Sequence, residues 1–400
     1  MTHESHSRGA FAAFKETLLA YTFDMGGLVA GFVVASQLGL FQLSPWAIAV
    51  YPAILSAKAV IHGLLRGRLG TALHLGTVHP RFSNNTKSFY KLIATMVVQT
   101  LVISVVMSLV SFVFGSVFWG AKAADALDIV IVVVATMTLG LTLSIVTIKV
   151  AFITFTRGLD PDIVVHPIMS TVADIFITVC YIIALNAFFV FNFAGKSVIA
   201  VIILVHLLLV LYIIPKNFRE QDFRKNLKES LYTMLFVSLI ANVTGTVLKD
   251  ISGIVKDRKE IYTVYPALIN IVGDVGTVVG STATTKLALG LLRPSLSSIR
   301  HHAKKILSAW AASIVMFLVL AILSPWVNGL LSLSVFSNLI TILLVANVIA
   351  VSAIILLSYG VSILTFQKGL DPDNFVIPIE SSFADSLMSI ALLVALVLVG

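Results

Sequence analysis

Charge is scarce in this chain. Asp, Glu, Lys and Arg make up 12% of its 400 residues, about half the share of an ordinary soluble domain. Any polar stretch long enough to fold by itself in water is missing too. Hydrophobic residues reach 58%, with a mean hydropathy of +1.02. These shortages exclude a soluble globular protein and make lipid the solvent. The apolar runs, about 17 to 28 residues each, lack the period-2 alternation of barrel strands. Backbone polar groups cannot stay unpaired in hydrocarbon, so runs of this kind have to be helices. Cysteine is nearly absent: Cys180 stands alone in an apolar run, which rules out an internal disulfide or a thiolate metal site and reads as a small core residue. Walker, Rossmann and zincin motifs are lacking, which argues against an ATP-driven pump or a membrane protease. The first sixteen residues are polar and the apolar run after them has no small-residue cleavage site, so the expectation is a retained helix and no cleaved leader.

What is present is an all-α integral membrane protein of eleven spans. They are expected near 17–39, 47–65, 92–116, 127–155, 163–191, 198–214, 230–249, 262–290, 306–327, 337–365 and 374–399. Positive charge divides unevenly between the two sets of loops. Eighteen Lys and Arg fall on the side holding the N-terminus and six on the other, while Lys58, Lys149 and Lys286 lie within spans. The split predicts a cytoplasmic N-terminus and an external C-terminus in a multi-pass protein of the cell membrane. Loops facing anionic lipid account for the net charge of +8 without a nucleic-acid partner.

The chain repeats itself. TFTRGLDPDIVVHPIMSTVAD (154–174) matches TFQKGLDPDNFVIPIESSFAD (365–385) at 13 of 21 positions, offset by 211. VYPAILSAKAVIHGLLRGRLGTALHLG (50–76) aligns with VYPALINIVGDVGTVVGSTATTKLALG (264–290) at an offset of 214, and Gly31 pairs with Gly245 at that same offset. The expected domains are a cytoplasmic segment 1–16, a first repeat 17–191, a linker 192–229 carrying one span, and a second repeat 230–400. Each repeat has five spans, an odd number, so the linker span turns the second copy into the orientation of the first. Parallel repeats imply a pseudo-twofold axis along the membrane normal and a monomer that acts as a pseudo-dimer.

Ionisable groups inside spans are costly and point to function. Asp174 and Asp385 occupy equivalent places in the two fifth spans, eight to ten residues in, roughly 12–15 Å deep. Each ends the same pattern, Pro167–Ser170–Asp174 and Pro378–Ser381–Asp385. Ser and Asp four apart share a helix face, and proline frees the carbonyl one turn earlier. Carboxylate, hydroxyl and free carbonyl are hard oxygen donors suited to Mg²⁺ or Ca²⁺. The competing reading has these aspartates pair with Lys58 or Lys149 and only fasten helices. Asn270 and Asp274 share a face of the second repeat's second span, where the first repeat has Ser56 and Val60. Glu380, matched by Met169, is a ligand nearer the cytoplasmic mouth, a proton-coupling group or a salt-bridge partner. Asp24, beside the close-packing glycines Gly26 and Gly27, either faces the pore or neutralises Lys58. Lys58 itself is expected to pair with a carboxylate. Lys149 and Lys286 are placed to snorkel, and His206 reads as structural. The Asp-Pro-Asp triplets at 160–162 and 371–373 look like ordinary helix starts. His301-His302 reads as part of a solvated basic loop.

At these residues the chain resembles the MgtE and solute-carrier-family-41 magnesium transporters. The carriers of the resemblance are YPAILSAK and YPALINIVGD in the second spans and the DPD-x₄-P-x₆-D pattern of the fifth. It covers nearly the whole chain as two tandem membrane domains. The resemblance implies magnesium coordination in a central pore by the fifth-span aspartate, which carries over to Asp174 and Asp385, and raises sodium-coupled exchange as a mode. The expected function is passage of a divalent cation, Mg²⁺ first, through a site lined by the second and fifth spans of both repeats. Asp174, Asp385, Asn270, Asp274, Ser170, Ser381, Asp24 and Glu380 are its candidate ligands. No bound cofactor is expected beyond the transported ion and Na⁺ or H⁺ as coupling ion. Two rivals remain: a secondary transporter of another substrate and a non-transporting membrane scaffold.

Overall fold

The structure is a computed structural model that describes residues 14–157, 161–368 and 372–399. For 161–168, 222 and 372–380 it describes the backbone alone. Among the described residues every regular element is helical, and eleven helices are long and apolar enough to cross a bilayer. In chain order they are α1 Phe14–Ser36, α2 Pro45–His74, α3 Lys87–Trp119 and α4 Asp125–Thr156; α5 Pro161–Phe189; α6 Asn192–Asn217; α7 Gln221–Val255; α8 Lys259–Ala288, α9 Leu296–Val327 and α10 Leu333–Gln367; and α11 Pro372–Val399.

All eleven expected spans are present. The differences are at their ends. The linker span, expected at 198–214, runs as Asn192–Asn217 in α6, and α2 continues nine residues past 65 to His74. Hydropathy ends a span at its first charges, here Arg66 and Arg68, whereas the backbone ladder continues until a helix-ending turn. That turn follows at Gly76, in the left-handed region at φ 69°, where a residue without Cβ is unstrained. At the far side α3 starts on Thr86, whose hydroxyl accepts from the Phe89 N–H at 3.3 Å as an N-cap. His302 departs from expectation: it lies in α9, fully buried, because its ring reaches Thr282 Oγ1 and Lys286 Nζ of α8, each at 3.1 Å.

The chain packs as two compact units, one built from Met1–Ser36 and Asp250–Gly400 and the other from Gln37–Lys249. These units cut across the sequence repeats, because the first span of each repeat packs on the second span of the other. Within the first unit, α1 lies on α8 with Gly31 against the Thr263 carbonyl and Gly27 against Ala267, where an added Cβ would come within 2.7 Å of the backbone nitrogen. Within the other unit, Gly245 of α7 meets the Ala49 carbonyl of α2. Thr263 and Ala49 are themselves 214 apart, as are the two glycines, so one contact is made twice. The cause is visible in the sequence. Each contacted carbonyl lies three residues before a proline, Pro266 or Pro52, and small residues let backbones approach there without a hydrophobic driving force.

Side-chain hydrogen bonds then lock the bundle. Trp119 Nε1 donates to Thr246 Oγ1 at 2.9 Å. Trp310 Nε1 donates to Asn347 Oδ1 at 3.0 Å. Arg258, on the turn before α8, donates to buried Glu260 at 2.8 Å and to Asn338 at 2.6 Å. In α6, His206 is held between Thr138 at 2.7 Å and the Val97 carbonyl at 3.0 Å, the structural role expected for it.

Candidate cation site

Each repeat builds the same frame around its fifth-span aspartate. In the first, the Tyr51 hydroxyl of α2 is 2.8 Å from Thr178 Oγ1 of α5, and Thr178 donates back to the Asp174 carbonyl at 2.6 Å. In the second, the Tyr265 hydroxyl of α8 is 2.7 Å from Ser389 Oγ of α11, and Ser389 donates to the Asp385 carbonyl at 2.7 Å. Tyr51 and Tyr265 are 214 apart, and Thr178 and Ser389 are 211 apart, so the two frames agree residue by residue. Both tyrosines are buried. Their clasp sets the register of the second span against the fifth and thereby decides which residue of the second span faces the aspartate. Tyr265→Phe is expected to cost about 0.6 kcal/mol, the average for an interhelical hydrogen bond in a membrane protein. A fall in thermal midpoint of the detergent-purified protein, without loss of its helical signal, would register it.

Inside equal frames the chemistry differs. In the first repeat, Lys58 Nζ of α2 meets Asp174 Oδ1 at 2.6 Å, with both side chains 6% exposed. Lys58 thus pairs with a carboxylate, as expected, and of the two pairings open to it the structure has the one with Asp174, the competing reading of that aspartate, rather than the one with Asp24. The first-repeat aspartate therefore has its charge compensated from within the protein. Arg66 lies two turns further along the same face of α2, and its charge also acts on Asp174. Ser56, the counterpart of Asn270, is buried beside them, and Ser170 is half-buried.

In the second repeat, the position equivalent to Lys58 is Val272, and Asp274 stands where the first repeat has Val60. Asn270, Asp274 and Asp385 are all half-buried, and Ser381 is exposed. The exchanged span α1 brings a third acid to this unit. Asp24 sits in a single 3-10 turn, Phe23–Gly26, within the helix and is 9% exposed. Its carboxyl group hydrogen-bonds to that of Asp274. The Tyr21 hydroxyl, fully buried, has no hydrogen-bond partner among the described residues, and the charges acting on it are those of Asp274 and Asp24. Sequence reading offered no sign of Tyr21, since a lone tyrosine in an apolar span is ordinary. The first span's heptad neighbours gave no hint that it would pack on the other repeat.

The remaining candidates sort simply. The Glu380 side chain and the Asp-Pro-Asp triplets lie outside the described side chains, as do Pro167 and Pro378. Lys149 is exposed, consistent with snorkelling, whereas Lys286 is half-buried against His302. Cys180 is buried. No group of three or more His, Cys, Asp and Glu side chains is placed to hold a metal among the described residues. The side chains at the candidate positions offer carboxyl, amide and hydroxyl oxygens, donor types that suit a hard, partly hydrated cation.

Comparison with known proteins bears on what that cation is. The family model described as MgtE, divalent cation transporter, matches the chain twice, at residues 51–184 and 265–396. Both matches begin at or beside the clasp tyrosines and run through the fifth-span aspartates. No curated protein matches. Among solved structures, the crystal structure of the eukaryotic MATE transporter AtDTX14 aligns over 97% of each chain at 12% identity, with a TM-score of 0.19, and carries no weight here.

Proposed function

The chain belongs to the MgtE family of divalent cation transporters, and we propose that Mg²⁺ is the ion it moves and that acids of the second repeat hold that ion in transit. The observation that carries this reading is the charge difference between two otherwise equal frames. Val272 stands where the first repeat has Lys58, and Asp274, Asn270 and Asp24 add oxygen donors to Asp385 in the same unit. Mg²⁺ keeps several waters and is usually held by one or two carboxylates, which suits half-buried acids better than a closed cage. Ser381 lies one turn before Asp385 on the same face. Asp174 and Ser170 are the first-repeat counterparts, with Asp174 held by Lys58. Glu380 is kept as a ligand of the cytoplasmic mouth.

The protein would work as a monomer in the cell membrane with its N-terminus inside. The paired carboxyl groups of Asp24 and Asp274 make H⁺ the first coupling ion to test, with Na⁺ the second. The test is uptake into proteoliposomes carrying a Mg²⁺ indicator, run with and without pH and Na⁺ gradients. Mg²⁺ uptake above protein-free vesicles is the expected result. Uptake of Mn²⁺, Co²⁺ or Ca²⁺ with no Mg²⁺ uptake would overturn the choice of ion. Helical, monodisperse protein passing none of them would favour a scaffold.

A further inference from the structure

We infer that the Lys58 ammonium is a built-in cation standing where a transported ion stands in the second repeat, so that the first repeat is closed to cargo by its own side chain. The inference rests on the reading that the second-repeat acids hold the cargo, and it adds a residue that sets how many ions the chain binds. Three observations support it. First, the tyrosine clasps place Asp174 and Asp385 in matching frames, so residues 58 and 272 occupy one structural position in two copies. Second, Lys58 fills that position with a charge 2.6 Å from Asp174 Oδ1, in a pair that is almost wholly buried, whereas Val272 leaves it without one. Third, the substitution is not isolated. Lys58, His62 and Arg66 follow one another at four-residue intervals and share one face of α2. Their counterparts in α8 are Val272, Gly276 and Gly280. One copy therefore carries two cations, Lys58 and Arg66, along the face that meets the fifth-span aspartate, and the other carries none there.

A fixed cation close to a cation path repels the diffusing one, and most strongly where water is excluded. Those cations therefore bar a divalent ion from Asp174, and the second repeat has no counterpart to them in α8. In the second repeat the matching groove is taken up by packing. A Cβ on Gly276 would lie 2.8 Å from Ile354 Cγ1 and 2.9 Å from Ser358 Oγ of α10. In the first repeat His62 instead borders a small void with Thr100, Gly140 and Ser144. The alternative is that Lys58 merely ties α2 to α5. The two differ in what happens when the ammonium is removed. A purely structural pair leaves a buried charge that nothing replaces, whereas a displaced-ion site accepts a divalent cation in the ammonium's place.

The experiment uses the full chain in detergent and counts bound Mn²⁺ by loss of the free-ion paramagnetic resonance signal. Lys58→Val, which installs the second-repeat residue, is expected to bind one more Mn²⁺ per chain than the wild type. Its thermal midpoint should be depressed in chelator and restored by Mg²⁺ well beyond any shift of the wild type. The double variant Lys58→Val with Asp174→Asn should lose both effects. Lys58→Met, closer in volume, is the second variant in case the valine chain is unstable. Equal Mn²⁺ counts in the wild type and in both single variants overturn the inference. So does failure of both variants to fold in the presence of Mg²⁺, since the ion then cannot stand in for the ammonium. Wild-type binding that Asp385→Asn leaves unchanged counts against the second-repeat cargo site alone, and is read separately from the gain at Lys58.

Discussion

Asp385→Asn is expected to reduce Mg²⁺ flux by at least about 100-fold while the protein remains folded. Partners that merely orient metal ligands already cost about 10–100-fold when removed, and an ion held by few carboxylates loses more when one of those becomes a neutral amide. The fold should survive because Asp385 is only half-buried and asparagine keeps the shape of the side chain. Asp174→Asn is predicted to behave differently. It strips the partner from a Lys58 ammonium in a site 6% exposed, and breaking a buried pair from one side costs about 3–5 kcal/mol. The two variants, identical in chemistry and equivalent by repeat, should therefore separate: flux lost with stability kept at 385, stability lost at 174. Proteoliposome flux and a thermal melt on the same preparations measure both. Equal effects on both quantities would show that the repeats share the work evenly.

The second large effect is expected at the crossed glycines. Gly31→Val and Gly245→Val should each destabilise the protein by at least about 3 kcal/mol, the upper end of ordinary overpacking. The neighbour in each case is a backbone carbonyl, of Thr263 or of Ala49, and no side-chain rotamer can relieve a clash with backbone. The helices have to move apart, and with them the exchanged span. In the first case that span carries Asp24 away from Asp274, so surviving protein should also show altered transport. Gly253→Val, in the same helix as Gly245 but with open space around it, serves as the control and should change stability little. Size-exclusion profiles and thermal midpoints would check all three. Normal behaviour of Gly31→Val would contradict the close contact of α1 with α8.

Much of this architecture was already legible. Low charge and long apolar runs demanded helices, because unpaired backbone cannot remain in hydrocarbon. The repeat was readable because both copies still need proline, tyrosine and aspartate at the same spacing. The deep acids stood out because few such groups are tolerated in lipid. Less legible were the helix ends, where hydropathy senses charge and the backbone does not. His302 was misplaced for that reason: basic neighbours suggested a loop, whereas α9 starts before it and buries it against α8.

Pairing was beyond reach of the linear sequence. Composition and spacing by themselves determined the solvent, the number of spans, the repeat and the short set of residues able to meet a hard cation. Those properties are local, since each follows from a residue's own transfer energy or its helical period. Tertiary structure alone decided that Lys58 reaches Asp174, that Asp24 meets Asp274, and that each repeat lends its first span to the other's second. Contacts between spans depend on helix rotation and on which backbones approach closely. Two glycines and two tyrosine clasps settle those here, across separations of 232 and 196 residues in the glycine contacts and more than one hundred in the clasps.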